Sequence, residues 1–293
     1  MARKILVVGA SGTLGGLTLR ELVRRGADVR ALVRAKRNLP TQVEQFIGNL
    51  SDRSSIEKAL DGVQAAYYIS PHDTNEVELA ENFIQACEAA MVRIVFAGIH
   101  IPDPEMRAYF AKAHPHYKGK LQIGAALAAA ANDPVVQSLS FSNFAQNDEV
   151  YKEDILNGEF PEPLKGINRF DLRDGAEIAA SALLDPDFAG GVHVAVGPES
   201  LTGQQCADIW AAALMRPVRY LGDDEQAWRP AIARRLTGAK QSDWLYTFDF
   251  LANNAFPTDP AAVEATEKLL GHPVRNYRTY VRDTAREWLD STI

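Results

Sequence analysis

Lys4-Ile5-Leu6-Val7-Val8-Gly9-Ala10-Ser11-Gly12-Thr13-Leu14-Gly15-Gly16 decides the fold of this 293-residue chain. A continuous apolar run stopped at once by glycines reads as a buried parallel strand. The turn after it opens a helix near Thr13, with Leu14, Leu17, Leu19, Leu22 and Val23 as its apolar positions. The glycines allow a tight turn, a close backbone approach to a pyrophosphate, and tight packing of helix on strand. The helix start offers unpaired N–H groups and a positive dipole end to the phosphates. Strand, glycine turn and helix in that order form the context of a dinucleotide site. Gly9, Ser11, Gly12, Thr13, Leu14 and Gly15 are therefore expected to hold the cofactor.

The end of the next strand selects the dinucleotide. Residues 27–34 read as that strand, and a chain built for NAD would place an acid at its end, against the ribose 2′-hydroxyl. This chain has Arg34 there, followed by Lys36 and Arg37. A guanidinium pairs bidentately with a phosphate, so Arg34 and Arg37 predict NADP(H) as the cofactor.

Outward from this unit, strand and helix patterns alternate. Strands are expected at 43–46, 64–69, 93–97 and 135–139, and helices at 51–60, 75–90 and 118–131. Such alternation predicts an α/β fold, a doubly wound parallel sheet with helices on both faces. Ligands bind beyond the carboxyl ends of such strands. One rim should thus gather 9–15, Arg34, Asn49, Ser70, Pro71, 98–100 and 141–144. Later pieces read as helices at 174–184, 203–215, 260–270 and 277–289, with strands at 192–196 and 218–221. The expected organisation is a nucleotide-binding domain over 1–150. Residues 151–293 then supply the rest of the sheet and a smaller mixed α/β C-terminal lobe that is not an independent domain.

Net charge is −7, which argues against nucleic acid as a partner, since phosphate backbones call for a basic surface. Cys87 and Cys206 are the only cysteines, too few for a Cys-rich zinc site, and no metal is expected. No apolar run reaches membrane-spanning length and the N-terminus enters a strand directly, so a cytoplasmic protein is expected. The alanine run 125–131 reads as a helix face packed closely on a neighbour, a homodimer partner being one such neighbour.

These landmarks together resemble the NmrA-like family, an atypical Rossmann-type branch of the short-chain dehydrogenase/reductase superfamily. The resemblance rests on 7–15 and Leu32-Val33-Arg34, and on Gly48-Asn49-Leu50-Ser51-Asp52, where the family usually has Asp at the position of Asn49. It extends through Tyr67-Tyr68-Ile69-Ser70-Pro71, His116-Tyr117-Lys118-Gly119-Lys120, Asp171-Leu172-Arg173-Asp174-Gly175-Ala176 and Leu269-Leu270-Gly271-His272-Pro273. It implies that Asn49, Leu50, Ser70, Pro71 and Phe141 line the cofactor, and that Lys120 is an active-site lysine beside the nicotinamide ribose.

The chain departs from the wider superfamily, where a serine after strand five and a tyrosine and lysine on the next helix move a proton. Strand five ends Phe96-Ala97-Gly98-Ile99-His100, without a hydroxyl. Tyr117 precedes Lys120 by three residues instead of four, which turns the phenol by roughly 100° about the helix. His100, His116 and Tyr117 are the remaining candidate proton donors, although each histidine reads first as a loop residue in solvent. His114 and His116 lack the carboxylates or thiols of a metal site. Asp174, with Glu177 three residues on, reads as a helix N-cap. The aromatic run 244–256 has two open readings, an acceptor pocket or the packing of a lobe.

Two functions stay open. One is an NADPH-dependent reductase of a small flat acceptor such as a quinone or enone. Hydride addition there leaves a delocalised anion that needs little acid help, which suits a site without the usual triad. The other is a catalytically silent NADP-binding sensor acting through a protein partner, with Phe141 or Phe144 plugging the nicotinamide face. A third, a reductase or isomerase of a larger aromatic metabolite, rests on the aromatic-rich lobe alone.

Overall fold

The computed structural model describes residues 3–71, 75–99, 101, 104–113, 115–130, 133–138 and 142–290. The chain opens with β1 (Lys4–Val8), α1 (Thr13–Arg24), β2 (Asp28–Val33), β3 (Glu44–Ile47) and α2 (Arg53–Ala59). It continues through β4 (Ala65–Tyr68), α3 (Glu76–Ala89), β5 (Arg93–Gly98), α4 (Pro104–Ala113), α5 (Pro115–Ala128) and β6 (Val135–Ser138). Next come β7 (Ser142–Phe144), a 3-10 turn (Ala145–Tyr151), α6 (Lys152–Leu156), β8 (Glu159–Phe160) and β9 (Ile167–Phe170). After α7 (Leu172–Leu184) and β10 (Gly191–Val194) follow β11 (Ser200–Leu201), α8 (Gly203–Leu214) and β12 (Arg219–Tyr220). The helices α9 (Glu225–Ala233), α10 (Gly238–Asn253), α11 (Pro260–Leu270) and α12 (Tyr277–Asp290) close the chain.

These elements form two compact units. Unit 1 is Met1–Ser140 with Leu172–Ala195, and unit 2 is Phe141–Asp171 with Val196–Ile293. The chain passes between the units three times, so no single cut separates them.

Unit 1 carries a seven-stranded sheet in the order β10-β6-β5-β4-β1-β2-β3, with every pairing parallel. Strand order reverses between β1 and β4: the chain winds outward through β2 and β3, then returns to the other side of β1. Beyond the carboxyl ends of that pair lies the crevice in which such sheets bind ligands. On one face, Leu6, Val8, Ile94 and Phe96 pack under Ile56, Phe83, Ile123 and Leu127 from α2, α3 and α5. Each such side chain contributes about 1.5–3 kcal/mol by leaving water. Over the other face, α1 and α7 bury Leu19, Leu22, Ile178 and Leu183, and Arg25 Nη1 donates to Ser181 Oγ at 2.9 Å.

Unit 2 holds two small sheets, β11-β9-β7 and β12-β8. Its core gathers Trp210, Trp228, Phe160, Phe248, Tyr277 and Trp288. Within it Arg169 is fully buried, with Nη1 donating to Glu162 Oε2 at 2.7 Å and Nη2 to Asp148 Oδ1. Trp210 Nε1 (2.8 Å) and the Tyr277 hydroxyl donate to Asp148 Oδ2, and the guanidinium lies 4.6 Å from the Tyr277 ring centre.

Three expectations change. The helix expected at 118–131 runs from Pro115 to Ala128, and α4 precedes it where no helix was anticipated. Helix α7 starts at Leu172, so Asp174 sits inside its first turn, fully buried, and is not the residue ahead of the helix that a cap must be. The aromatic run 244–256 lies mostly on α10, where Phe248 is buried and Trp244, Phe250 and Phe256 pack against the core of unit 2. That favours packing over pocket lining. No helix among the described residues is long and apolar enough to cross a membrane.

Candidate functional site

The glycine turn has the shape its sequence predicts. Gly9 adopts φ +84°, and a Cβ there would lie 2.1 Å from Ile69 Cγ2. At Gly15 a Cβ would stand 2.2 Å from the Gly9 carbonyl oxygen, so only glycine lets α1 come this close to the turn. Gly12 N–H donates to Gly9 O at 2.9 Å, and Ser11, Gly12 and Thr13 are exposed while Leu14 and Gly15 are buried. No side chain caps the start of α1. Asp52, Thr202, Asp224 and Asp259 cap α2, α8, α9 and α11, whereas α3, α6 and α10 share with α1 the lack of a side-chain cap. An uncapped twelve-residue helix aimed from the switch point of a parallel sheet fits a pyrophosphate.

Beyond β2, Arg34 and Arg37 are exposed, and no carboxylate pairs with either, or with Lys36, among the described residues. The loop itself is fixed: Gln45 on β3 accepts from Arg37 N–H at 2.8 Å and donates to Arg37 O at 2.9 Å. Its geometry therefore does not depend on what the guanidinium groups bind. Asn49 is exposed; its Oδ1 accepts from Ser51 N–H at 3.1 Å, and its own N–H donates to Ser55 Oγ at 3.1 Å. Asparagine thus keeps the turn that an aspartate would make, but presents an amide in place of a carboxylate. Leu50 beside it is half-buried.

At the end of β4, Tyr67 and Tyr68 are buried in the sheet; Tyr68 stacks on Phe83 at 4.8 Å. Ser70 and Pro71 follow at the end of that strand. Lys120 Nζ, from α5, donates to Ser70 Oγ at 2.6 Å. Lys120 is half-buried, and its withdrawal from water brings its pKa down to about 8, against an opposing pull from the Glu76 carboxylate. Glu76 lies in the first turn of α3 and is buried. A Cβ on Gly119 would lie 2.1 Å from Glu76 Oε1, so the carboxylate rests against the backbone of α5 immediately before Lys120.

Unit 1 therefore brings together the glycine turn, the basic loop, Asn49, Ser70 and Lys120 at the carboxyl ends of its strands. Tyr117 is held elsewhere in purpose: its ring stacks on Phe110 of α4 at 5.1 Å. His100, His114 and Phe141, and the side chain of His116, lie outside the described residues. Sequence reasoning missed Glu76, which reads as one more polar residue at a helix start. The available signal was Gly119, a glycine inside an otherwise alanine-rich helix, next to the lysine.

The model of the NmrA-like family matches residues 1–277. The chain belongs to the NmrA-like family. An NAD(P)H azoreductase of Xenophilus azovorans is 27% identical over 95% of this chain and 96% of its own length. Three solved structures share the fold. The Citrobacter sp. triphenylmethane reductase complexed with NADP(H) superposes with a TM-score of 0.77 at 19% identity, covering 96% of this chain and 99% of that one. The Escherichia coli NADPH-dependent quinone oxidoreductase complexed with NADPH gives 0.76 at 19%, with the same coverage. NmrA, a negative transcriptional regulator in complex with NADP, gives 0.77 at 14%, covering 99% and 98%. At these identities the three structural likenesses show the fold of this NmrA-like chain.

Proposed function

We propose that this NmrA-like chain is an NADPH-dependent reductase of a small, flat, conjugated acceptor, in the class of quinones, enones and azo compounds. The observation that carries the reading is the Lys120 ammonium, hydrogen-bonded to Ser70 on the same strand-end rim as the uncapped glycine turn. The cofactor is NADP(H). The start of α1 takes the pyrophosphate, Arg34 and Arg37 take the 2′-phosphate, and Asn49 and Leu50 lie where the adenine half belongs. Ser70, Pro71 and Lys120 belong to the nicotinamide end.

When bound, NADPH supplies a hydride from C4 of the nicotinamide. The chain's own part is to orient the cofactor and to supply a weak acid. With a pKa near 8, Lys120 keeps its proton at neutral pH, yet releases it more readily than an ordinary lysine. A conjugated acceptor spreads the charge left by hydride over its π system, so one weak acid suffices. A simple ketone would form a localised alkoxide and demand a stronger donor. The azo, quinone and triphenylmethane acceptors in the names of the relatives are all conjugated, which supports the class.

A second reading, a cofactor-binding regulator without turnover, draws support from the missing serine and tyrosine and from the shared fold of the regulator NmrA. One experiment separates the two. NADPH oxidation is followed against quinones, enones, azo dyes and simple ketones, with NADPH affinity measured in parallel by fluorescence. Turnover is expected with the conjugated acceptors and not with the ketones. Arg34→Glu with Arg37→Glu is expected to weaken NADPH roughly 100-fold while leaving NADH little changed. Tight NADPH binding with no turnover on any acceptor overturns the reductase in favour of the regulator.

A further inference from the structure

Gly119 and Gly124 both interrupt α5, and both weaken it relative to alanine by about 1 kcal/mol. At Gly124 a Cβ would meet nothing within 4 Å. At Gly119 it would lie 2.1 Å from Oε1, 2.8 Å from Cδ and 3.0 Å from Cγ of Glu76. The helix therefore leaves out a side chain at the one turn where a buried carboxylate from α3 presses on its backbone. The next residue is Lys120, whose ammonium already has its hydrogen bond to Ser70.

We propose that Glu76 is a positioning residue for Lys120: seated against α5 at Gly119, its carboxylate fixes a negative charge one residue from the lysine and so favours the ammonium that donates to the Ser70 hydroxyl. The inference deepens the reductase reading and rests on it for its catalytic meaning, but the seat itself belongs to this chain with or without turnover. A lysine drawn out of water tends to lose its proton, and a nearby anion opposes that loss. Burial lowers the pKa of Lys120 and the Glu76 charge raises it, so the resting value near 8 is a balance of the two. Among the described residues, the elements packed against α5 supply no ion pair to Lys120. From β4 come the Ser70 hydroxyl and the Tyr68 phenol, whose pKa is pushed up by burial and further by the Glu76 charge. From β5 come buried apolar side chains, Ile94 and Phe96. On α4, Glu105, Arg107 and Lys112 are exposed, as is Lys118 on α5 itself, while Tyr117 stacks on Phe110.

The test reads the lysine directly. Cofactor-free protein is reductively methylated with ¹³C-formaldehyde and titrated by NMR, with Lys120→Arg identifying the resonance. In Glu76→Gln, which keeps the shape, the Lys120 acid dissociation constant is expected to rise roughly tenfold or more. Gly119→Ala, which displaces the carboxylate, should move it the same way, and Glu76→Asp should bring it back toward the wild-type value. In the turning-over enzyme, the high-pH fall of kcat/KM should move to lower pH by the same factor, with activity at pH 6 largely kept. An unchanged Lys120 midpoint in a folded Glu76→Gln protein overturns the proposal, even if the enzyme turns over. A silent enzyme with a shifted midpoint overturns the reductase reading and leaves the seat standing.

Discussion

Arg169 in unit 2 and Lys120 in unit 1 are both cations withdrawn from water, and their surroundings differ in kind. Arg169 is fully buried, with Asp148, Glu162 and Asn143 accepting from it and the Tyr277 ring against its face. Lys120 is half-buried, and among the described residues its single hydrogen bond goes to Ser70. Of its three donors, two have no partner among the described residues. Burial of a charge therefore does not by itself mark a working site. A charge ringed by acceptors of its own chain organises a core, while one with a single described partner at a strand-end rim suits the ligand role proposed for it.

The contrast breaks most sharply at Arg169. Arg169→Met leaves two carboxylates in a dry core and should cost about 3–5 kcal/mol, read as a fall in the urea midpoint. Lys120→Met should do the reverse: no loss of stability, and a drop of about 100-fold in kcat/KM for a conjugated acceptor. If Lys120→Met unfolds the protein, or Arg169→Met leaves the midpoint unchanged, the division between structural and functional cations fails.

A smaller effect sharpens it. One arginine cannot neutralise both Asp148 and Glu162, and Asp148 also accepts from Trp210 and Tyr277. Glu162, with less help, keeps a proton more readily; burial pushes its pKa up to about 7. The folded state then binds more protons than the unfolded chain between about pH 4.5 and 7. Stability should fall as pH rises through that window, by about 3 kcal/mol at about 1.4 kcal/mol per pH unit, and Glu162→Gln should flatten the fall. The check is a series of urea midpoints at pH 5, 6, 7 and 8.

Where the chain repeats a strong pattern, its sequence could be read closely. Lys4–Val8 and Pro260–Leu270 stand as expected, because an apolar run ending in Gly9 and a Pro260 start with Gly271 beyond are local signals. Strands of two or three residues, such as Glu159–Phe160 and Ser142–Phe144, carry too few side chains for any period to show. Helix α10 was hidden by its aromatics: Tyr246, Phe248 and Phe250 look like alternation. Yet Trp244, Phe248 and Leu251, spaced by four and three, are the helical set that packs inward. The positions of the glycine turn and of Arg34 were legible because each follows its strand directly. Glu76 was not, because its meaning depends on α3 and α5 lying side by side, a fact of tertiary packing.

The threefold passage between the units bears on how the protein is made. When β6 has left the ribosome, unit 1 still lacks α7, which covers one face of its sheet beside α1, and the edge strand β10. Both lie beyond Asp171, after a stretch that belongs to unit 2. The nascent sheet must therefore wait with Ile5, Val7 and the inner side of α1 incompletely covered until Val194 emerges.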